Sequence, residues 1–360
     1  MIPINSTIGL VAMFAAATAT MPLPVPTPGE IKNFKDWSVG CDNGGNCQAV
    51  SLAADKERDQ FDNWGGPIVI TRTSDKDDIL KIRALIQNDS LDRYQIFVDG
   101  RLVDTGPLVQ GNYPIEIVGE DAVKVSRAII RGYKLKVVGP DGENLTNISL
   151  SGSSAALRYM DARQKRTYTR TALVAKGRRI FRPLESEIPT ITVQQWAPAK
   201  RIPATTEIVD LIEHSVCKDD RFGVVEDQIY PLGQKDDRYR ALVLISCGSG
   251  AYNFSSTAYI GEIKGNEKNG ASWAFRPATY DLPPKWGGKE RLPLLVNPHW
   301  DGETQILSSY AKGRGLGDCG NAERFIWDGE QFRLLEAREM RECRGAYEWI
   351  TTWRAQYMKS

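Results

Sequence analysis

Six cysteines limit how this chain can fold more than any other feature: Cys41, Cys47, Cys217, Cys247, Cys319 and Cys343. None forms a Cys-x-x-Cys pair, and with only His214 and His299 as histidines a zinc site would be poorly furnished. An even set so spaced is the pattern of a disulfide framework, which persists only in an oxidising compartment. The six fall into three sequential pairs, and local pairing is the simplest reading: Cys41–Cys47, Cys217–Cys247 and Cys319–Cys343. The first pair brackets the turn residues DNGGN, between strand-like runs Phe34–Cys41 and Cys47–Leu52. Such a turn sets Cys41 opposite Cys47, where strand partners have Cα atoms ~4.5–5.5 Å apart, within disulfide reach.

The N-terminus agrees with export. Ile8–Ala17 is a short apolar run, too brief for the ~20 residues of a membrane span, and Ala17-Thr18-Ala19 follows as a small-x-small cleavage signal. That order is a secretory signal peptide over residues 1–19, with a Pro-rich tether over 20–33. The basic flank usual before the apolar run is missing, since no Lys or Arg precedes Lys32. Signal and cysteines together lead to the expectation of export to an oxidising compartment.

At 360 residues the chain exceeds one ordinary core. The expectation is mainly β with a few short helices (α+β), in two disulfide-stapled β-rich domains at 34–181 and 206–360. Between them, 182–205 carries Pro183, Pro189, Pro198 and Pro203, a density that opposes helix and central strand and reads as a linker. In the first domain strands are expected at Pro67–Arg72, Ile79–Ile86, Tyr94–Val98, Lys134–Val138 and Thr146–Leu150. Helices are expected at Asp121–Arg131 and from Ser151 or Ser153, good N-cap residues, to about Lys165. On the second helix Ala156, Leu157, Met160 and Gln164 share one face, with Arg158, Lys165 and Arg166 on the other. The second domain opens with a helix at Thr206–His214. Its strands are expected at Arg240–Cys247, Ser256–Glu262, Arg291–Val296, Gln305–Tyr310, Arg324–Trp327 and Phe332–Ala337.

Motifs along the whole mature chain carry a resemblance. They begin with Phe34-Lys35-Asp36-Trp37-Ser38-Val39-Gly40-Cys41-Asp42-Asn43 and Cys47, then Leu150-Ser151-Gly152, Asp161-x-x-Gln164 and ALVAKG at 172–177. Gly313-Arg314-Gly315-Leu316-Gly317-Asp318-Cys319-Gly320, Trp327-Asp328-Gly329, Cys343-Arg344-Gly345 and Trp353-Arg354 complete them. Together they resemble domain-of-unknown-function family 1176, uncharacterised periplasmic proteins of Gram-negative cells. The first half is also distantly similar to the invasion-associated locus B proteins, small exported β proteins. The resemblance implies a periplasmic, β-rich protein and brings no activity and no catalytic residue.

The residues themselves offer no catalytic set, metal site or cofactor site. Ser246-Cys247-Gly248-Ser249-Gly250 lacks the Gly-x-Ser-x-Gly of a hydrolase elbow, and neither histidine is spaced to a nucleophile. The loop Gly313–Asp318 lacks the Lys-Ser/Thr of a P-loop and reads as a tight turn that positions Cys319. Trp300-Asp301-Gly302-Glu303 recurs as Trp327-Asp328-Gly329-Glu330, which reads as two ordinary hairpins of one sheet. Scattered carboxylates such as Asp219-Asp220 and Asp236-Asp237 leave a glycan or peptide hydrolase as the alternative.

A net charge of +1 gives no global pull toward polyanions. Locally, Arg158–Arg182 holds nine Lys or Arg and one acid, Asp161. Arg158, Arg163, Lys165 and Arg166 are candidates for contact with an anionic surface, with nucleic acid excluded as a periplasmic partner. Six of nine tryptophans lie in the second domain. Trp286, Trp300 and Arg314 are therefore candidates for contact with a cell-envelope glycan or a periplasmic protein, and Trp327 and Trp353 are expected in the core. The leading expectation is a non-enzymatic binding protein of the cell envelope.

Overall fold

A computed structural model describes residues 24–54, 67–75, 77–86, 91–111, 113–183, 188–219, 221, 226–264, 272–285 and 292–360. The signal segment 1–19, the start of the tether and Trp286 lie outside the described residues.

The first half builds two antiparallel sheets. One runs in the order β1 (Ile31–Phe34), β2 (Trp37–Cys41), β3 (Cys47–Ser51), β4 (Ile68–Arg72), β5 (Leu80–Ala84) and β8 (Ile115–Val118). The other runs β10 (Asn144–Ser149), β9 (Lys134–Val138), β6 (Arg93–Val98), β7 (Arg101–Pro107). Helices α1 (Gly119–Arg131) and α2 (Ser153–Arg163) pack on the larger sheet, and α1 also meets β7. In α1 the buried positions are Ala122, Val125, Ser126 and Ile129, one stripe at helical spacing. In α2 they are Ser153, Ala156, Leu157, Met160 and Asp161. The N-cap of α2 is neither serine but Gly152, at φ 97° and so close to the Phe34 carbonyl that a Cβ would sit 1.8 Å from its oxygen.

The second half starts with a short 3-10 turn, Thr205–Ile208, continued by α3 (Val209–His214). One sheet follows in the order β12 (Gln228–Lys235), β13 (Arg238–Ser249), β14 (Phe254–Lys264), β15 (Ala274–Pro277), with β16 (Leu294–Val296) also on β14. A five-stranded sheet of β17 (His299–Asp301), β18 (Ile306–Lys312), β19 (Gly320–Trp327), β20 (Phe332–Met340) and β21 (Ile350–Arg354) packs against it. Leu242, Leu244, Ile260, Phe325, Phe332 and Trp353 fill the space between.

The Pro-spaced stretch is more than a connection. Its proline-free window holds β11 (Thr190–Val193), which pairs in parallel with β22 (Gln356–Lys359). Among the strands the sequence did not announce, β7 and β22 have mostly exposed side chains. No apolar alternation marks them, because one edge of a ladder and little core suffice to hold them.

Every residue of β2 and β3 is buried, and strand alternation explains why. Trp37, Val39, Cys47 and Ala49 face the helices. Val50, with Ile31, Leu52 and Val69, joins Met340, Trp349 and Ile350 of the second half in a shared apolar cluster. Both faces of this sheet are thus covered.

All three disulfides form as the spacing predicts, with Cα–Cα distances of 4.0 Å for Cys41–Cys47, 4.6 Å for Cys217–Cys247 and 4.7 Å for Cys319–Cys343.

Candidate functional site

The structure separates the sequence candidates sharply. Trp300 is 5% exposed and lies in the core with its ring 6.3 Å from that of Phe332. It is a packing residue, because the strand alternation of β17 turns it inward. Arg314 is tied to Asp318, donating from Nε to Oδ1 at 2.8 Å and from Nη2 to Oδ2 at 2.5 Å. The same Asp318 oxygen accepts the Gly345 N–H at 2.6 Å, and the Gly313 N–H bonds the Cys319 carbonyl. This loop therefore holds the last disulfide in place. Burial opposes the charge of Asp318, yet Arg314 and the Gly345 N–H outweigh it and hold the carboxyl below its ordinary value.

Of the carboxylates of the hydrolase alternative, Asp220 lies outside the described residues, and those of the two repeats and of Asp236-Asp237 sit at turns. Asp301 accepts the Glu303 N–H at 2.9 Å and the Thr304 hydroxyl at 2.7 Å. Asp328 accepts the N–H groups of Glu330 and Gln331 at 2.8 and 2.9 Å. Both repeats are hairpins of the same sheet. Asp236 and Asp237 make the turn between β12 and β13.

The basic segment is built differently on its inner and outer sides. Arg166 is fully buried, contrary to its expected place on the polar face, because α2 ends at Arg163 and the chain turns back through Lys165 at φ 56°. Its guanidinium bonds Gln164 Oε1 at 3.0 Å, Thr171 Oγ1 at 3.1 Å and the Thr73 carbonyl at 3.1 Å, and pairs with Asp78 at 2.9 Å. It also lies 3.5 Å from the Phe181 ring centre. Burial and the neighbouring Arg72 push its pKa down to about 10.

Arg72 grips Asp78 through two bonds of 2.7 and 2.9 Å and gives a third to the Thr171 carbonyl at 2.8 Å. Asp161, on the buried stripe of α2, accepts the backbone N–H groups of Leu173 and Val174. Burial raises its pKa against the pull of those donors and of Arg72. Gln164 Nε2 bonds the Gly45 and Arg72 carbonyls, each at 2.9 Å. The spacing Asp161-x-x-Gln164 and the run ALVAKG are thus two sides of one contact. They fasten the loop 166–177 to α2 and to β4.

With Arg166 and Asp161 turned inward, the outward charges of the segment all have one sign. Arg158, Arg163, Lys165, Arg170, Lys176, Arg178, Arg179 and Arg182 are exposed. Among the described residues none of them has an ion pair or side-chain hydrogen bond. Tyr168 and Ile180 stand among them, 60% and 79% exposed. They lie one residue to either side of the parallel bridge Thr169–Arg179, and Tyr168 has φ 64°, a conformation unfavourable to a bulky side chain.

Beside this face opens a cleft of 510 Å³ between the β4–β5 turn, α1 and the loop 170–176. Arg127, Arg170, Lys176 and Glu120 line it over a floor that includes Arg72. Burial and the Arg127 charge hold the Lys176 amine below its ordinary pKa, against the pull of Glu120. Sequence reading missed Arg72 and Arg127, which lie far from the basic run and belong to no motif. In the second half the two Gly-rich stretches meet, Tyr252 Oη donating to the Gly313 carbonyl at 3.3 Å. Among the described residues, no helix is long and apolar enough to cross a membrane.

Comparison with known proteins agrees with this pattern of motifs. The chain is 29% identical over 342 residues to the uncharacterized protein YpfG of Escherichia coli (strain K12), covering 89% of this chain and 91% of that protein. No solved structure matches. The family model described as protein of unknown function (DUF1176) matches residues 31–356, and the chain belongs to that family.

Proposed function

We propose that this is an exported, non-enzymatic binding protein of the cell envelope, which meets an anionic partner through the outward face of residues 158–182. The observation that carries this reading is the row of eight exposed cations in that segment, without an ion pair among the described residues. A folded surface usually intersperses its charges. Here the local acid is buried and engaged with backbone N–H groups, so the segment keeps a single-sign field. Such a field attracts anionic surfaces, with about 1 kcal/mol from each Lys or Arg held close to one. Three disulfides and the apolar run with its Ala-x-Ala signal support a periplasmic setting. There an anionic lipid or lipopolysaccharide surface is at hand and nucleic acid is not.

The test is cosedimentation of the mature chain with vesicles containing phosphatidylglycerol. Binding is expected, weakening steeply with salt, and the triple variant Arg163→Glu, Lys165→Glu, Arg178→Glu should lose it by a hundredfold or more, on the order of three contacts. Equal binding by the triple variant would overturn the reading.

A further inference from the structure

The cleft beside the basic face is poised for a particular anion. We infer that it receives a phosphate monoester displayed on a lipid surface, an inference that rests on the anionic-surface reading above. Its volume of 510 Å³ is that of a small-ligand site.

Three cations line the cleft without an ion pair or side-chain hydrogen bond among the described residues: Arg127 from α1, and Arg170 and Lys176 from the loop, with Glu120 the carboxylate that pulls on Lys176. At the floor Arg72 is held by Asp78 and the Thr171 carbonyl, with its buried Nη1 paired to Asp161 at 3.6 Å, so it adds positive charge beneath the cleft rather than an open donor. The open donors approach from two elements, α1 and the loop, over the Arg72 charge on β4. A planar carboxylate engages one side and carries one charge, whereas a phosphate monoester brings three acceptor oxygens and nearly two charges. The acids of the cleft do not fill that role. Asp78 is spent on Arg72 and Arg166, and Asp77 and Glu120 are exposed. The first turn of α1 already carries Glu120 and Asp121, whose charges offset the pull of its N–H groups on an anion. The lowered pKa of Lys176 fits a site crowded with cations that an anion would relieve.

The lipid source follows from Tyr168 and Ile180. Both are exposed on the segment that supplies Arg170 and Lys176. A tyrosine and an isoleucine set among exposed cations are the side-chain types that enter the boundary between headgroups and acyl chains. A soluble phosphate would leave them without a role.

The experiment uses the whole mature chain and three vesicle types: phosphatidylcholine alone, with phosphatidylglycerol, and with phosphatidic acid, the last two matched in surface charge. Phosphatidic acid, the monoester, is expected to bind roughly tenfold more tightly than the diester. Arg127→Gln and Lys176→Met, both folded by circular dichroism, should reduce that advantage to about twofold or less. Arg170→Gln serves as a second variant should either fail to fold. Tyr168→Ser with Ile180→Ser should weaken binding to both anionic vesicles. Equal binding of the two lipids would overturn the monoester cleft while leaving the anionic-surface reading standing. Failure to bind either would overturn both. Lys176-dependent binding of inorganic phosphate with no gain on phosphatidic acid vesicles would overturn the lipid assignment.

Discussion

Arg344, in the second half of the chain, donates from Nε to the carbonyl of Ala53 in the first half at 2.8 Å. The same guanidinium bonds the Lys35 carbonyl at 2.9 Å and pairs with Asp36, and it is 4% exposed. Replacing it with methionine would take the guanidinium from two carbonyls and from the half-buried carboxylate of Asp36, whose other oxygen keeps the Ser149 hydroxyl. Arg344→Met should therefore cost about 3–5 kcal/mol in urea unfolding, and Arg163→Gln, on the exposed face, less than about 0.5 kcal/mol. Similar costs for the two would contradict the clamp.

Asp318 should make stability sensitive to acid. Its carboxyl is held below the ordinary value of 3.8, so the folded protein resists protonation more than the unfolded chain does. Its contribution is complete well above pH 3.8 and is lost as pH falls through the lower, folded value. Asp318→Asn should cost about 1–3 kcal/mol near neutrality, and the gap in melting temperature from the parent should narrow as pH falls below the ordinary value of 3.8. A gap independent of pH would argue that shape alone matters there.

The three disulfides should differ in weight. The closed loops span 6, 30 and 24 residues in chain order, and a longer loop restricts the unfolded chain more. Paired alanine replacement at Cys217 and Cys247, or at Cys319 and Cys343, should lower stability by about 2–4 kcal/mol, and at Cys41 and Cys47 by less. Urea midpoints of the three double variants give the order. A first loop as costly as the others would mean that its role is local geometry.

Limited proteolysis should enter between Arg182 and Pro189, a stretch whose sequence carries proline and charge and no apolar periodicity. The fragments should stay together on gel filtration, because the halves share the cluster around Trp349 and Arg344 bonds the carbonyls of Lys35 and Ala53. Separation without denaturant would show that the shared face is weak.

Much of this architecture was legible. Cysteine spacing marked all three disulfides, and apolar periodicity marked the helices and the central strands, since burial on a regular lattice leaves a regular trace. Strands with exposed faces left none. The failures among candidate residues have one cause. Trp300 and Arg166 were judged by residue type, and both are buried by their neighbours, the one by strand alternation, the other by the chain reversal after α2. The cleft was illegible because Arg72, Arg127 and Lys176 converge only when β4, α1 and the loop are folded together.

The double coverage of the first sheet bears on how the chain is made. Ile31, Val50, Leu52 and Val69 are synthesised early, and the residues that cover them, Met340, Trp349 and Ile350, almost last. In the interval, the early half can close its helical side but must carry a bare greasy face on the other. A newly made molecule would need either a holding chaperone or rapid completion to avoid sticking to its neighbours.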